Sequence, residues 1–140
     1  MKISTKGRYG LKAVIDMAYR QDEGALSISN IASKNNISES YLEQLFAKLK
    51  KADIVKSIRG AQGGYILARD TSDISVGDIL RALEGNLNPV DCPDLLGDGK
   101  CTGSDSCISK IVWKKINESV NKAVDSITLK SLIEERNNNL

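Results

Sequence analysis

Cys92, Cys101 and Cys107 are the only cysteines in the chain and fall within sixteen residues; histidine is absent. Thiolates are soft ligands for Zn²⁺ or iron–sulfur iron, and four ligands normally complete either site. Three thiolates with no imidazole are therefore an incomplete set, of the kind a labile sensing centre needs. The spacing is Cys-x8-Cys-x5-Cys. It lacks the close Cys-x2-Cys pairs usual in structural zinc sites. The residues leave three readings open: an iron–sulfur cluster, free thiols that sense oxidation, and zinc or no ligand.

The rest of the chain says what such a centre would control. A length of 140 residues suits one domain, or one compact unit with an added arm, and allows a real hydrophobic core. An odd cysteine count argues against a disulfide framework. No apolar stretch follows the charged start Met1-Lys2-Ile3-Ser4-Thr5-Lys6, so no signal peptide is expected. No run approaches the roughly 18 apolar residues of a membrane span. A reducing cytoplasm is the expected compartment, with no membrane partner. With no histidine and no nucleophile beside a plausible base, an enzyme is not expected.

Charge is uneven. Residues 1–70 hold 12 Lys/Arg against 7 Asp/Glu, and residues 71–140 hold 8 against 11. A basic first half fits a polyanion-binding module.

Periodicity predicts a mainly helical protein. Leu11, Val14, Ile15 and Ala18 mark a helix over 4–20. A short helix follows over Ser27–Lys34, and Asn35-Asn36 supply turn chemistry. Ser38 reads as the N-cap of a third helix, about 39–52. Its stripe of Leu42, Leu45, Phe46 and Leu49 runs i, i+3, i+4, i+7. Two helices joined tightly, the second offering polar residues at its start, are a helix-turn-helix. β-branched runs at 54–59 and 65–69 flank Gly60-Ala61-Gln62-Gly63-Gly64 and read as a β-hairpin. The sum is a winged helix.

Ser75 and Asp78 form a capping-box-like start for a helix at 76–84. Residues 86–106 read as an irregular loop. A long periodic helix runs over about 106–126 through Ile108, Ile111, Val112, Ile116, Val120, Ala123 and Val124. Thr128 caps a short helix over Leu129–Glu135, and the tail Asn137-Asn138-Asn139 is expected to fray. The units expected are 1–84 for DNA binding, 85–107 for the cysteines, and 108–140 for a dimerisation helix and arm.

Ser38, Ser40, Tyr41, Glu43 and Gln44 crowd the start of the third helix. Hydroxyls and helix N-terminal amides suit phosphates. Glu accepts from cytosine N4, and Gln pairs with adenine. Glu43 repels most of a polyanion and is tolerated only where its hydrogen bond is made. Lys48, Lys50, Lys51 and Lys56 add salt-dependent affinity. Arg59, beside the glycine loop with Gly60 and Gly64, is placed to enter a minor groove. The bland alternative is a solvated helix face with Ser38 as a plain cap; the hairpin at winged-helix distance favours double-stranded DNA.

Ser4-Thr5-Lys6-Gly7-Arg8-Tyr9, Ser38-Glu39-Ser40-Tyr41-Leu42-Glu43-Gln44-Leu45 and Arg59-Gly60-Ala61-Gln62-Gly63-Gly64-Tyr65 resemble the Rrf2 family of bacterial regulators. The similarity spans about residues 1–135. It implies a winged-helix homodimer, with the long C-terminal helix crossing to the other subunit, on a pseudo-palindromic operator. It also implies that Ser38, Ser40, Tyr41 and Glu43 face bases or phosphates and that Arg59 enters the minor groove.

Cluster-binding members carry three cysteines between the same two helices, which favours an iron–sulfur cluster on Cys92, Cys101 and Cys107. The preferred type is 2Fe-2S, with 4Fe-4S as the alternative. CymR-like members lack the trio. IscR-like members commonly show a first gap of five, so this loop carries three extra residues. They also carry a histidine where Lys110 stands here, and a protonated amine has no lone pair to donate. NsrR-like members recruit an acid from the partner's N-terminal segment, but residues 1–15 hold no Asp or Glu. Asp91, Asp94, Asp98, Asp105, a backbone or hydroxyl oxygen, or a small thiol are candidate fourth ligands, and none stands out.

The expected function is thus an IscR-like, cluster-controlled transcription regulator of iron–sulfur biogenesis. The alternatives are a nitric-oxide- or thiol-sensing repressor of the same family and, in another class, an iron–sulfur carrier or protein-binding adaptor.

Overall fold

Short polar side chains set most of the helix starts in a computed structural model of the chain, which describes residues 2–91 and 108–139. Helix α1 spans Thr5–Tyr19. Helix α2, Ile28–Asn35, begins where the Ser27 hydroxyl accepts the Asn30 N–H, and ends at Asn36 in the left-handed region (φ 60°). Asn tolerates that conformation better than most residues. Helix α3, Glu39–Lys51, is capped by Ser38. Strands β1 (Val55–Ile58) and β2 (Gly64–Leu67) pair antiparallel, with Val55 opposite Leu67 and Ile58 opposite Gly64.

Helix α4, Val76–Glu84, starts at the expected reciprocal cap of Ser75 and Asp78. After residues 92–107 come α5, Ser109–Asp125, and α6, Leu129–Asn138. Among the described residues this is a mainly helical fold with a two-stranded wing, as expected.

The α3 stripe organises the core. Leu42, Leu45, Phe46 and Leu49 are fully buried against Ala13, Val14 and Met17 of α1, Ile31 of α2, and Ile79 of α4. The Phe46 ring meets Tyr65 edge-on at 4.9 Å and joins the wing to α3. Edge-to-face pairs of this kind add to area burial. One buried charge also holds α1 to α2. Arg20 donates to Asp16 (2.7 Å) and Asn30 (2.7 Å), and Asn35 donates to Asp16 (3.2 Å). Its carboxylate and amide partners make burial of the guanidinium tolerable.

Helix α6 comes back to this core. Leu129 is fully buried within it, and its N–H donates to the Ile74 carbonyl (3.0 Å). The Arg136 guanidinium lies 3.8 Å from the Tyr19 ring centroid. The tail departs from expectation: the helix continues through Asn138 instead of fraying from Asn137. The cation–π contact of Arg136, which lies within that last turn, anchors it.

Helix α5 is different, because none of its residues is buried. Val120 and Val124 lean on the small cluster of Val76, Leu80 and Leu87. Arg81 of α4 clamps the same end, donating to both Asp125 carboxylate oxygens (2.8 and 2.9 Å) and to Asn121 Oδ1 (2.6 and 3.2 Å). That bond holds the Asp125 carboxyl below its ordinary range and raises Arg81 further. Toward the other end, Ile111 and Val112 are 61% and 50% exposed.

Candidate nucleic-acid interface

The cap geometry that starts α3 also presents its polar side chains. The Ser38 hydroxyl accepts the Tyr41 N–H at 3.3 Å, so its own proton remains free to donate outward. Ser38, Ser40, Glu43 and Gln44 are all exposed. Ser40, Gln44 and Lys48 follow one another at i, i+4 and so share a face. This face is opposite the buried stripe because both come from a single helical period.

Tyr41 occupies a more structural place than the other four. It is half-buried; its hydroxyl donates to Thr5 Oγ1 at 3.3 Å, and its ring stands edge-on to Tyr9 at 6.3 Å. It joins α3 to the start of α1 and leaves only part of its ring for a ligand.

The wing tip is a second polar element. Arg59 and Gly60 are exposed, and no carboxylate among the described residues pairs with Arg59. Gly60 has φ +111°, with open space where a side chain would stand. Gly64 is glycine for another reason. At φ +150°, a Cβ there would lie 2.3 Å from the Leu26 carbonyl oxygen. That close approach lets Tyr65 and Leu26 exchange backbone hydrogen bonds at 2.7 and 3.0 Å. The demand at Gly64 is thus met inside the fold, whereas Gly60 faces outward.

Positive charge surrounds these elements. Lys6, Lys48 and Lys51 line a cleft of about 610 Å³ between the start of α1 and the ends of α3 and α4. Lys50 Nζ donates to Ser57 Oγ at 3.2 Å, tying α3 to β1. Glu84 lines the cleft too, so three cations against one carboxylate leave it net positive, which favours polyanions. The arrangement can therefore offer hydrogen-bonding groups at the start of α3, a cation at the wing tip, and a basic cleft.

The thiolates Cys92, Cys101 and Cys107, with Asp94, Asp98 and Asp105, lie outside the described residues. Asp91 is exposed and Lys110 half-buried at the two ends of that segment. Sequence reasoning missed Glu84, whose carboxylate receives hydrogen bonds from Ser4 and Gly7. These partners are 80 and 77 positions away, so no local pattern could signal them.

A family model described as Rrf2, iron-dependent transcriptional regulator, matches residues 3–135. The chain is 46% identical over 132 residues to the HTH-type transcriptional regulator CymR of Bacillus subtilis, covering 94% of this chain and 89% of that protein. It is 36% identical over 133 residues to the HTH-type regulator IscR of Klebsiella pneumoniae, covering 95% and 80%. Among solved structures, T. potens IscR superposes with a TM-score of 0.79 at 46% identity, covering 97% of this chain and 88% of that one. B. subtilis CymR, titled the global cysteine regulator, gives 0.77 at 44%, covering 96% and 98%.

Proposed function

The chain belongs to the Rrf2 family of transcriptional regulators, and from that premise we propose that its operator affinity is set by an iron–sulfur cluster held by Cys92, Cys101 and Cys107. The observation that carries this reading is the thiolate trio itself, which lies in sequence between α4 of the DNA-binding unit and the exposed helix α5. The donor set fits, since three soft thiolates suit cluster iron. When bound, a cluster supplies a centre whose occupancy depends on iron–sulfur supply and on attack by oxygen or nitric oxide. With Lys110 where IscR-like members place a histidine, the fourth ligand is weaker, and the cluster is more labile than one on four thiolates.

The protein's own residues do the reading. Ser38 and Ser40 hold phosphates, Glu43 and Gln44 select base edges, Tyr41 sets the helix against α1, and Arg59 enters a minor groove. Two copies join through the apolar face of α5, which sets the spacing of two half-sites. A cluster that binds one arrangement of the dimer better than another shifts the population toward it, and operator affinity follows.

Anaerobic purification with an absorption spectrum and an iron, sulfide and zinc assay tests the cofactor. Iron and sulfide in stoichiometric amounts are expected, with loss of visible absorption in Cys101→Ala. Colour that persists in that variant would overturn the ligand assignment. Glu43→Ala should relax preference at one base pair per half-site by about 1–3 kcal/mol; an unchanged preference would count against direct readout.

A second reading, control by thiol oxidation without a cluster, is favoured by the similarity to CymR, one of whose Staphylococcus aureus structures is titled an oxidized form at 40% identity. Colourless, iron-free protein whose operator binding responds to peroxide and thiol reductant would select it.

A further inference from the structure

Helix α1 is capped by a residue nearly eighty positions further along the chain. Ser4 stands at the N-cap position, yet its side chain makes no capping bond and the first turn holds no acidic residue. Instead Glu84, the last residue of α4, brings one carboxylate oxygen to the helix start. That oxygen accepts from the Ser4 N–H (3.0 Å), the Ser4 hydroxyl (2.5 Å) and the Gly7 N–H (3.0 Å). A carboxylate there satisfies orphan amides and complements the positive end of the helix dipole.

The fit is keyed. A Cβ on Gly7 would fall 2.5 Å from Glu84 Oε1, and one on Gly10 would fall 2.2 Å from Leu83 Cδ1. The last turn of α4 therefore seats on a bare strip of α1. The residue beside Ser4 is Thr5, whose hydroxyl accepts from Tyr41, and Tyr41 lies within the polar start of α3.

We propose that Glu84 is a positioning residue for operator reading: its carboxylate fixes the start of α1, and Thr5 and Tyr41 carry that placement to Ser38–Gln44. This rests on base reading by α3. Glu84 touches no base; it decides where the side chains that do so stand.

The experiment titrates the full-length protein with a duplex that the wild type selects from a random pool, and with a scrambled duplex at the same salt. Glu84→Ala is expected to lose roughly tenfold of the ratio between the two affinities, while Glu84→Gln, which keeps an acceptor oxygen, recovers most of it. Leu83→Ala is the control for stability alone: it removes packing against Gly10 and should lower the melting temperature with the ratio unchanged. If Leu83→Ala lowers the ratio as much as Glu84→Ala, or if Glu84→Ala leaves it intact, the positioning role is overturned. Should Glu84→Ala fail to fold, Thr5→Val breaks the next link, and an unchanged ratio there overturns the proposal as well. Failure of the underlying reading looks different: the wild-type protein itself would select no duplex from the pool.

Discussion

Helices α3 and α5 carry the same kind of apolar stripe and meet opposite environments. On α3, Leu42, Leu45, Phe46 and Leu49 are fully buried; on α5, Ile111 and Val112 stand mostly exposed and no residue is buried. Amphipathic periodicity states that a helix needs an apolar neighbour, but not that the neighbour belongs to the same chain. For α3 it is α1, α2 and α4. For α5 the proposed neighbour is a second copy, since the family's regulators are expected to pair along this helix. The difference separates a stripe that stabilises the fold from one that assembles it.

The largest effect should come from breaking the buried stripe. Phe46→Ala removes a ring packed in the core and against Tyr65, and should cost about 3–5 kcal/mol, read by chemical denaturation. A cost near that of a surface change would mean the stripe is less tightly packed than described. The exposed stripe should respond in the opposite manner. Ile111→Glu with Ile116→Glu should leave helical circular dichroism nearly intact, yet convert dimer to monomer in sedimentation and weaken two-half-site binding roughly a hundredfold or more. A dimer that survives both charges would sink the assignment of this face.

Two smaller changes sharpen the contrast at the helix ends. Ser38→Ala should cost about 1 kcal/mol through lost capping, visible as a shifted denaturation midpoint. Asp125→Asn, at the end where α4 holds α5, should cost less than about 1 kcal/mol, as exposed ion pairs do. Its sign with pH is definite. The Arg81 hydrogen bond holds Asp125 below its ordinary value of 3.8, so the stabilisation is present above that value and is lost as pH falls through the lower folded one. The variant should therefore flatten the acid limb of the stability profile; an acid limb parallel to the wild type's would remove the pair from the account.

Local signals carried much of the architecture. Ser38 with the stripe placed α3 within one residue of its end, and Ser75 with Asp78 placed α4 at its observed bounds, because caps and periodicity act within a few residues. Helix α2 was placed one residue early, since Ser27 is its cap and not its first turn. Met17 and Ala13 of α1 were missed as core residues; Met and Ala are weak markers of a face beside Leu and Val. Tyr41 read as a DNA-facing residue, and its half-burial against Tyr9 and Thr5 became visible only when α1 crossed α3. The same holds for Glu84 and for Gly64, whose glycine is set by Leu26. Contacts spanning tens of residues leave no trace in a local pattern. The polar residues at the start of α3 were legible because exposure on one helical face follows from burial of the other.

The return of α6 also bears on how the chain is made. Leu129 sits at the centre of the core that α3 organises, bonded to Ile74. A chain synthesised from its N-terminus emits α1 to α4, the cysteine segment and all of α5 before that side chain exists. The DNA-reading unit therefore completes its core last, after the residues proposed to sense and to dimerise are already out.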